Sequence, residues 1–221
     1  MSLFLTYDAE NYEYILKPLG YAALILILAV LLLAILSLAK RGTSRRMRTK
    51  ELVFCAMAMA LAVAASYIKL ASLPFGGSIT LFSMLFISLT GYFYGIKTGL
   101  IAGAAYGILQ LIIEPYIYAP MQVLLDYPLA FGALGLSGLF YKKKYGLVIG
   151  YIVGVIGRYI CHVVSGYIFF AEYAPAGKDP LAYTLTYNMT YILPELIVTA
   201  VLLCVPAVAK AIGQIKQQAN Q

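Results

Sequence analysis

Long apolar stretches alternate with short polar ones along the whole chain, and none of the polar stretches is long enough for a soluble domain. The first apolar run, Pro18 to Ala39, carries no charge and is long enough to cross a hydrocarbon layer of about 30 Å at about 1.5 Å per helical residue. Six more follow at about 51–70, 79–96, 98–113, 120–141, 147–171 and 181–208, with short connections. The pattern predicts an all-α polytopic membrane protein. Residues 1–50 form an N-terminal extension with one transmembrane helix and a basic loop, and residues 51–221 form a six-helix transmembrane domain. Residues 1–17 are polar and acidic, with Asp8, Glu10 and Glu13. That start does not suit a cleavable signal peptide, so Pro18–Ala39 reads as a retained anchor.

Composition agrees: 62% of the residues are hydrophobic and 11% charged, with a mean hydropathy of +0.87, which excludes an ordinary soluble domain. The net charge of +7 would point to nucleic acid in a soluble protein. Its placement points elsewhere. The loop KRGTSRRMRTK at 40–50, Lys97, Lys142 to Lys144, Lys210 and Lys216 put twelve of the sixteen basic residues on one side of the membrane. Asp8, Glu10, Glu13, Glu114, Glu172 and Asp179 fall on the other. The expected topology has the N-terminus outside, the C-terminus inside, and loops 71–78, 114–119 and 172–180 facing outward. Cys55, Cys161 and Cys204 are odd in number, far apart and set in apolar runs, so they read as small buried hydrophobes rather than a disulfide frame or a metal site. No phosphate-binding loop or HExxH pattern occurs, so any ATP hydrolysis belongs to other proteins.

Against this apolar background the polar residues inside the spans stand out. Asp126 lies about 9 Å into the helix that starts at Pro120, and Gln122 shares its face four residues earlier. His162 is about 12 Å and Asn188 about 10 Å below the outer ends of their own helices. Three helices thus place a polar side chain at nearly one depth, as a pocket requires. Thr184, Asn188, Tyr191 and Glu195 follow at helical spacing below Tyr183, and Tyr116, Tyr118, Tyr127, Phe75 and Phe170 supply aromatic walls. A carboxylate among aromatic rings suits an organic cation. Plainer readings exist for each residue: a histidine bonded within the core, an interfacial tyrosine belt, an asparagine that only joins helices. Arg158, four residues before His162 and about 6 Å deeper, needs a partner, and Glu195 at a similar depth is the expected one; contact with the ligand or Asp126 is the alternative.

Four ordered stretches carry a family resemblance: LPFGGSITL at 73–81, PYIYAPMQVLLDYPLAFGALGLSGLF at 115–140, RYICHVVSGYIFFAEYAPAG at 158–177 and YTLTYNMTYILPEL at 183–196. Over about residues 50 to 208 the chain resembles the YuaJ-type thiamine-specific substrate-binding subunits of energy-coupling factor transporters. The resemblance implies a six-helix membrane protein that binds thiamine near its outer face. It also implies assembly with a transmembrane coupling subunit and two ATPases in the cell membrane, with no cofactor and no covalent chemistry of its own. By position, it makes Asp126 the acidic ligand contact, with Tyr127 beside it and Tyr116 in the preceding loop. Arg158, His162, Tyr183 and Asn188 fall on pocket positions. Family pockets can use tryptophan, which this chain lacks, so Phe170 and Phe75 take that place, and Asp126 stands where the family can carry glutamate. The faces Ala56/Ala60/Ala64 and Ala58/Ala62 are flat enough for close helix approach; the resemblance implies that they dock on the coupling subunit, with packing inside the bundle as the alternative. Loop 71–78, with Pro74, Gly76 and Gly77, is the expected lid. Other readings are a subunit of the same fold for another small vitamin, an intramembrane enzyme using Asp126, His162 and Glu195, or an ion-driven transporter.

Overall fold

The computed structural model describes residues 5–8, 13–20, 22, 47–73, 77–143, 145–175 and 177–221. Near the N-terminus two short strands, β1 (Leu5–Asp8) and β2 (Glu13–Leu16), pair antiparallel with Leu5 opposite Leu16. The sequence pattern gave no sign of them. Residues 18–20 and 22 are helical; the rest of the expected Pro18–Ala39 anchor lies outside the described residues, as do Phe75 and the lid positions Pro74 and Gly76.

From Thr49 onward the chain is a helical bundle: α1 (Thr49–Ser66), the strand pair β3 (Lys69–Ser72) and β4 (Ser78–Thr80), α2 (Ser83–Tyr94), α3 (Ile96–Ile113), α4 (Pro120–Phe140), α5 (Gly146–Phe169), α6 (Pro180–Cys204) and α7 (Pro206–Asn220). Helices α1, α3, α4, α5 and α6 are long and apolar enough to cross a membrane. Their polarity is turned inside out. On α6, Leu185, Met189, Leu193, Ile197 and Val201 are exposed at four-residue steps, while Thr184, Asn188, Glu195 and Thr199 are buried on the opposite face. So large an apolar exterior needs lipid, not water. The described chain is a multi-pass membrane protein.

Three expected spans change shape. The first, 51–70, stops being helical at Ser66 and turns into β3. The second, 79–96, starts as strand β4, and its helix begins only at Ser83. With twelve residues, α2 covers about 18 Å, less than the hydrocarbon thickness, and β4 extends it at its N-terminal end. The last, 181–208, ends at Cys204. Val205 precedes a proline, is held extended by it, and Pro206 then opens α7 as its first residue. Helix α7 straps the end of the bundle that carries Tyr92, Phe93 and Tyr141. Lys216 Nζ donates to the Tyr141 carbonyl and lies 3.6 Å from the Tyr92 ring centroid, and Asn220 Nδ2 reaches the Phe93 carbonyl at 3.4 Å. Burial there holds the Lys216 ammonium below the usual lysine range.

Helix α4 is the axis. Pro128 has no N–H for the preceding turn, and the helix widens to π geometry over Leu125–Leu129 before tightening to 3₁₀ over Leu134–Phe140. Backbones meet directly beside it: a Cβ on Gly107 would sit 2.4 Å from the Tyr127 carbonyl oxygen, and one on Gly135 2.1 Å from the Gly99 carbonyl carbon. Only glycine permits that approach. It carries the widened turn, and with it Asp126, into the centre of the bundle.

Candidate functional site

Asp126 projects from the π turn of α4 and is surrounded by donors. Gln122 Nε2 reaches its Oδ2 at 2.7 Å, Ser165 Oγ reaches the same oxygen at 2.9 Å, and His162 Nδ1 lies 2.9 Å from Oδ1. Arg158 Nε donates to His162 Nε2 at 3.2 Å. Because Nε2 accepts, the ring proton sits on Nδ1 and points at Asp126, which fixes the tautomer. Arg158, His162 and Ser165 stand at steps of four and three on α5, so one helical face presents the whole array to the carboxylate. Asp126 and His162 side chains remain 17% and 12% exposed, open to a ligand.

The loop before α4 is stitched to the same residues. Gln122, 1% exposed, accepts from Tyr118 N at 3.0 Å and donates to the Tyr116 carbonyl at 3.3 Å. Tyr127 OH donates to the Glu114 carbonyl at 2.9 Å and accepts from Tyr116 N at 2.8 Å. Phe170 packs on Tyr116, Tyr118 and Tyr173 with ring centroids 6.0, 5.1 and 6.1 Å away. Tyr183, Tyr187 and Tyr191 form a ladder down α6 at 6.2 and 5.8 Å.

Two cavities meet at this array. The larger, about 870 Å³ including its open mouth, is lined among others by Tyr116, Tyr127, Phe131, Arg158, Gln110 and Glu195. The smaller, about 460 Å³ on the same measure, is lined among others by Phe170, Tyr173, Tyr183, Tyr187 and Asn188. Asp126, His162 and Tyr191 belong to both and form the wall between them. The larger holds three carboxyl groups, Glu114, Asp126 and Glu195, against one guanidinium, Arg158. Such a lining favours a cation. Among the described residues no group of three or more histidine, cysteine or acidic side chains could hold a metal ion.

The structure brings Asp126, Tyr127, Tyr116, Arg158, His162, Phe170, Tyr183 and Asn188 to the walls of these adjoining cavities. The expected Arg158–Glu195 ion pair is not formed. Arg158 bonds His162 and lies with its guanidinium 4.1 Å from the Phe131 ring centroid. Glu195 instead accepts from Thr80 Oγ1 at 2.7 Å, Met84 N at 3.0 Å and Ser83 Oγ at 3.4 Å. Phe82, just before α2, is in the left-handed region and offers no side-chain cap. A carboxylate from α6 therefore caps α2, where helix N–H groups attract negative charge. Asn188 is joined to its surroundings: its Nδ2 donates to the Thr184 carbonyl at 2.9 Å, and its Oδ1 accepts from Tyr191 OH at 2.6 Å. The Ala58/Ala62 face also needs correction. Ala62 is 0% exposed inside the core, so it packs within the bundle, while Ala56, Ala60 and Ala64 remain exposed. Sequence reasoning missed Ser165, which helical spacing from His162 could have found. It also missed Thr80 and Ser83, hidden because 79–96 read as one helix.

Comparison with known proteins agrees with this architecture. Residues 52–213, well over half of the chain, match the family model described as "Thiamine transporter protein (Thia_YuaJ)". The thiamine transporter ThiT of Bacillus subtilis (strain 168) is 38% identical over 147 residues, covering 60% of this chain and 76% of that one. ThiT of Lacticaseibacillus paracasei is 34% identical over 104 residues, covering 39% of this chain and about half (52%) of its own length. A solved structure of ThiT from Listeria monocytogenes superposes with a TM-score of 0.58 at 25% identity, over 72% of this chain and 96% of that one. The chain belongs to the Thia_YuaJ thiamine transporter family.

Proposed function

We propose that this protein captures thiamine outside the cell and serves as the substrate-binding subunit of an energy-coupling factor importer. The observation that carries the reading is Asp126, half-buried and donor-bonded at the junction of two aromatic-walled cavities whose lining carries more carboxyl groups than guanidinium. Thiamine joins a cationic ring to an aminopyrimidine. Asp126 and the tyrosine faces favour the cation, and the Asp126–His162–Arg158 array supplies both acceptor and donor edges for the pyrimidine. Tyr116, Tyr127, Phe170 and Tyr183 enclose the rings, with Asn188 holding Tyr191 in the dividing wall.

Nothing in this arrangement requires covalent chemistry; the protein binds and releases. Residues 51–221 are the binding domain and residues 1–50 an extension. The basic ends of the bundle face the cytoplasm, the cavity mouths and the N-terminus face outward, and lipid of the cell membrane surrounds the helices. The exposed Ala56/Ala60/Ala64 face of α1 is flat enough for close helix contact and is the seat for the coupling subunit, through which two ATPases drive release. Reconstitution tests this. Vesicles holding the protein with coupling subunit, ATPases and ATP accumulate thiamine, whereas vesicles holding the protein alone bind it without accumulation. Accumulation by the protein alone would contradict the reading.

A further inference from the structure

A third cavity, about 260 Å³ on the same measure, lies between the β3–β4 pair and α6. Leu70 and Ile79 of the strands, Phe82 ahead of α2, and Pro194 and Val198 of α6 make its lining mostly apolar. Thr80 and Glu195 line it too, and both also line the larger cavity. These two residues, hydrogen-bonded to each other at 2.7 Å, therefore form a partition between a polar chamber and an apolar one. Glu195 is 5% exposed and stands fifteen residues after Pro180, about 22 Å along α6 and well inside a hydrocarbon layer of about 30 Å.

The chemistry of the lining selects the occupant. Water held in a cavity needs several polar partners, and the carboxylate here already takes three donors, from Thr80, Ser83 and Met84. A neighbouring helix would need small residues for close approach, but the mouth carries Leu70, 64% exposed, and Val198, 51% exposed. Val198 belongs to the same apolar exterior of α6 as Ile197 and Val201, so the mouth opens where lipid lies.

We propose that this cavity is a lipid seat: one acyl chain of a bilayer phospholipid enters between β3 and α6 and packs against the Thr80–Glu195 partition on the side away from the larger cavity. Its methylene groups gain dispersion contacts there that a flat helix face does not offer. The chain also keeps water from crossing the partition toward hydrocarbon, which leaves the Glu195 carboxylate to its three protein donors. The seat does not depend on which ligand the larger cavity takes.

The chain contains no tryptophan, so a single introduced one reports lipid contact without background. Leu70→Trp places it at the mouth; Met189→Trp, at a residue 47% exposed on α6 and outside the cavity, is the control. Each full-length variant is placed in phosphatidylcholine bilayers with rising fractions of the same lipid brominated on its acyl chains, and tryptophan quenching is measured. Both tryptophans should be quenched. Adding Val198→Phe, which plugs the mouth, should remove most of the quenching at position 70 and none at 189. Adding Val198→Ala, which widens the mouth, should increase quenching at 70 alone, and this result decides should Val198→Phe disturb the control. Quenching at 70 that ignores both changes would mean contact with bulk lipid only and overturn the seat. So would a tryptophan at 70 that brominated lipid does not reach while the one at 189 is quenched, since protein would then cover the mouth.

Discussion

Asp126 shows how a carboxylate is kept at membrane depth. Its two oxygens take three donors, from Gln122, Ser165 and His162, and a second tier fixes those donors: Arg158 sets the histidine tautomer and the Tyr116–Tyr118 backbone holds Gln122. A charge desolvated without such partners would cost several kcal/mol. Ser165 alone adds one hydrogen bond, so Ser165→Ala should weaken thiamine binding by about 1 kcal/mol, roughly five-fold, in a calorimetric titration, leaving the fold intact. Much of this was legible in the sequence, because Arg158 and His162 share a helical face and Gln122 lies one turn from Asp126. The partner of Glu195 was not. Depth matching pointed to Arg158, but the hydroxyls and free helix N–H groups at residues 80–84 satisfy the carboxylate by hydrogen bonding, and they were concealed inside an apolar run that reads as uninterrupted helix.

Helix α1 separates two faces that look alike in sequence. Both carry alanine at four-residue spacing, yet Ala62 is 0% exposed with its carbonyl accepting from Tyr106 OH at 3.1 Å, whereas Ala60 is exposed. The two positions should respond differently. Ala62→Leu overpacks the core and should lower stability by about 1–3 kcal/mol, read as earlier thermal unfolding in detergent. Ala60→Leu should leave unfolding and thiamine binding unchanged while blocking co-purification with the coupling subunit. Spacing alone cannot tell the faces apart, since in a membrane both lipid and neighbouring helices are apolar. Hydropathy also fixes where a span lies better than where its helix stops. It found α3, α4 and α5 to within a few residues, but the short strands β3 (KLAS) and β4 (SIT) adjoin long apolar helices and merge into their runs, and the extended residue ahead of Pro206 leaves hydropathy nearly unchanged while ending α6.

Taken whole, the bundle pushes a distorted central helix between glycine faces, so that its widened turn delivers one carboxylate to the line where two cavities meet. The fold class was legible because an inside-out helical protein must show long apolar stretches. The two-cavity arrangement was not, because it depends on where α4 departs from α-helical geometry and on tyrosines of α6 whose ring stacking spans several turns. The larger cavity offers charge and hydrogen bonds, the smaller offers mainly ring faces, and Asp126, His162 and Tyr191 stand between them. The proposed function requires that this junction bind thiamine through Asp126. Isothermal titration of purified wild type and Asp126→Asn with thiamine, and with riboflavin as the control ligand, tests it directly. Wild type should bind thiamine saturably and riboflavin not at all, and the variant should lose about 2 kcal/mol, roughly thirty-fold. Thiamine binding of equal strength in the folded variant, or none in folded wild type, would contradict it.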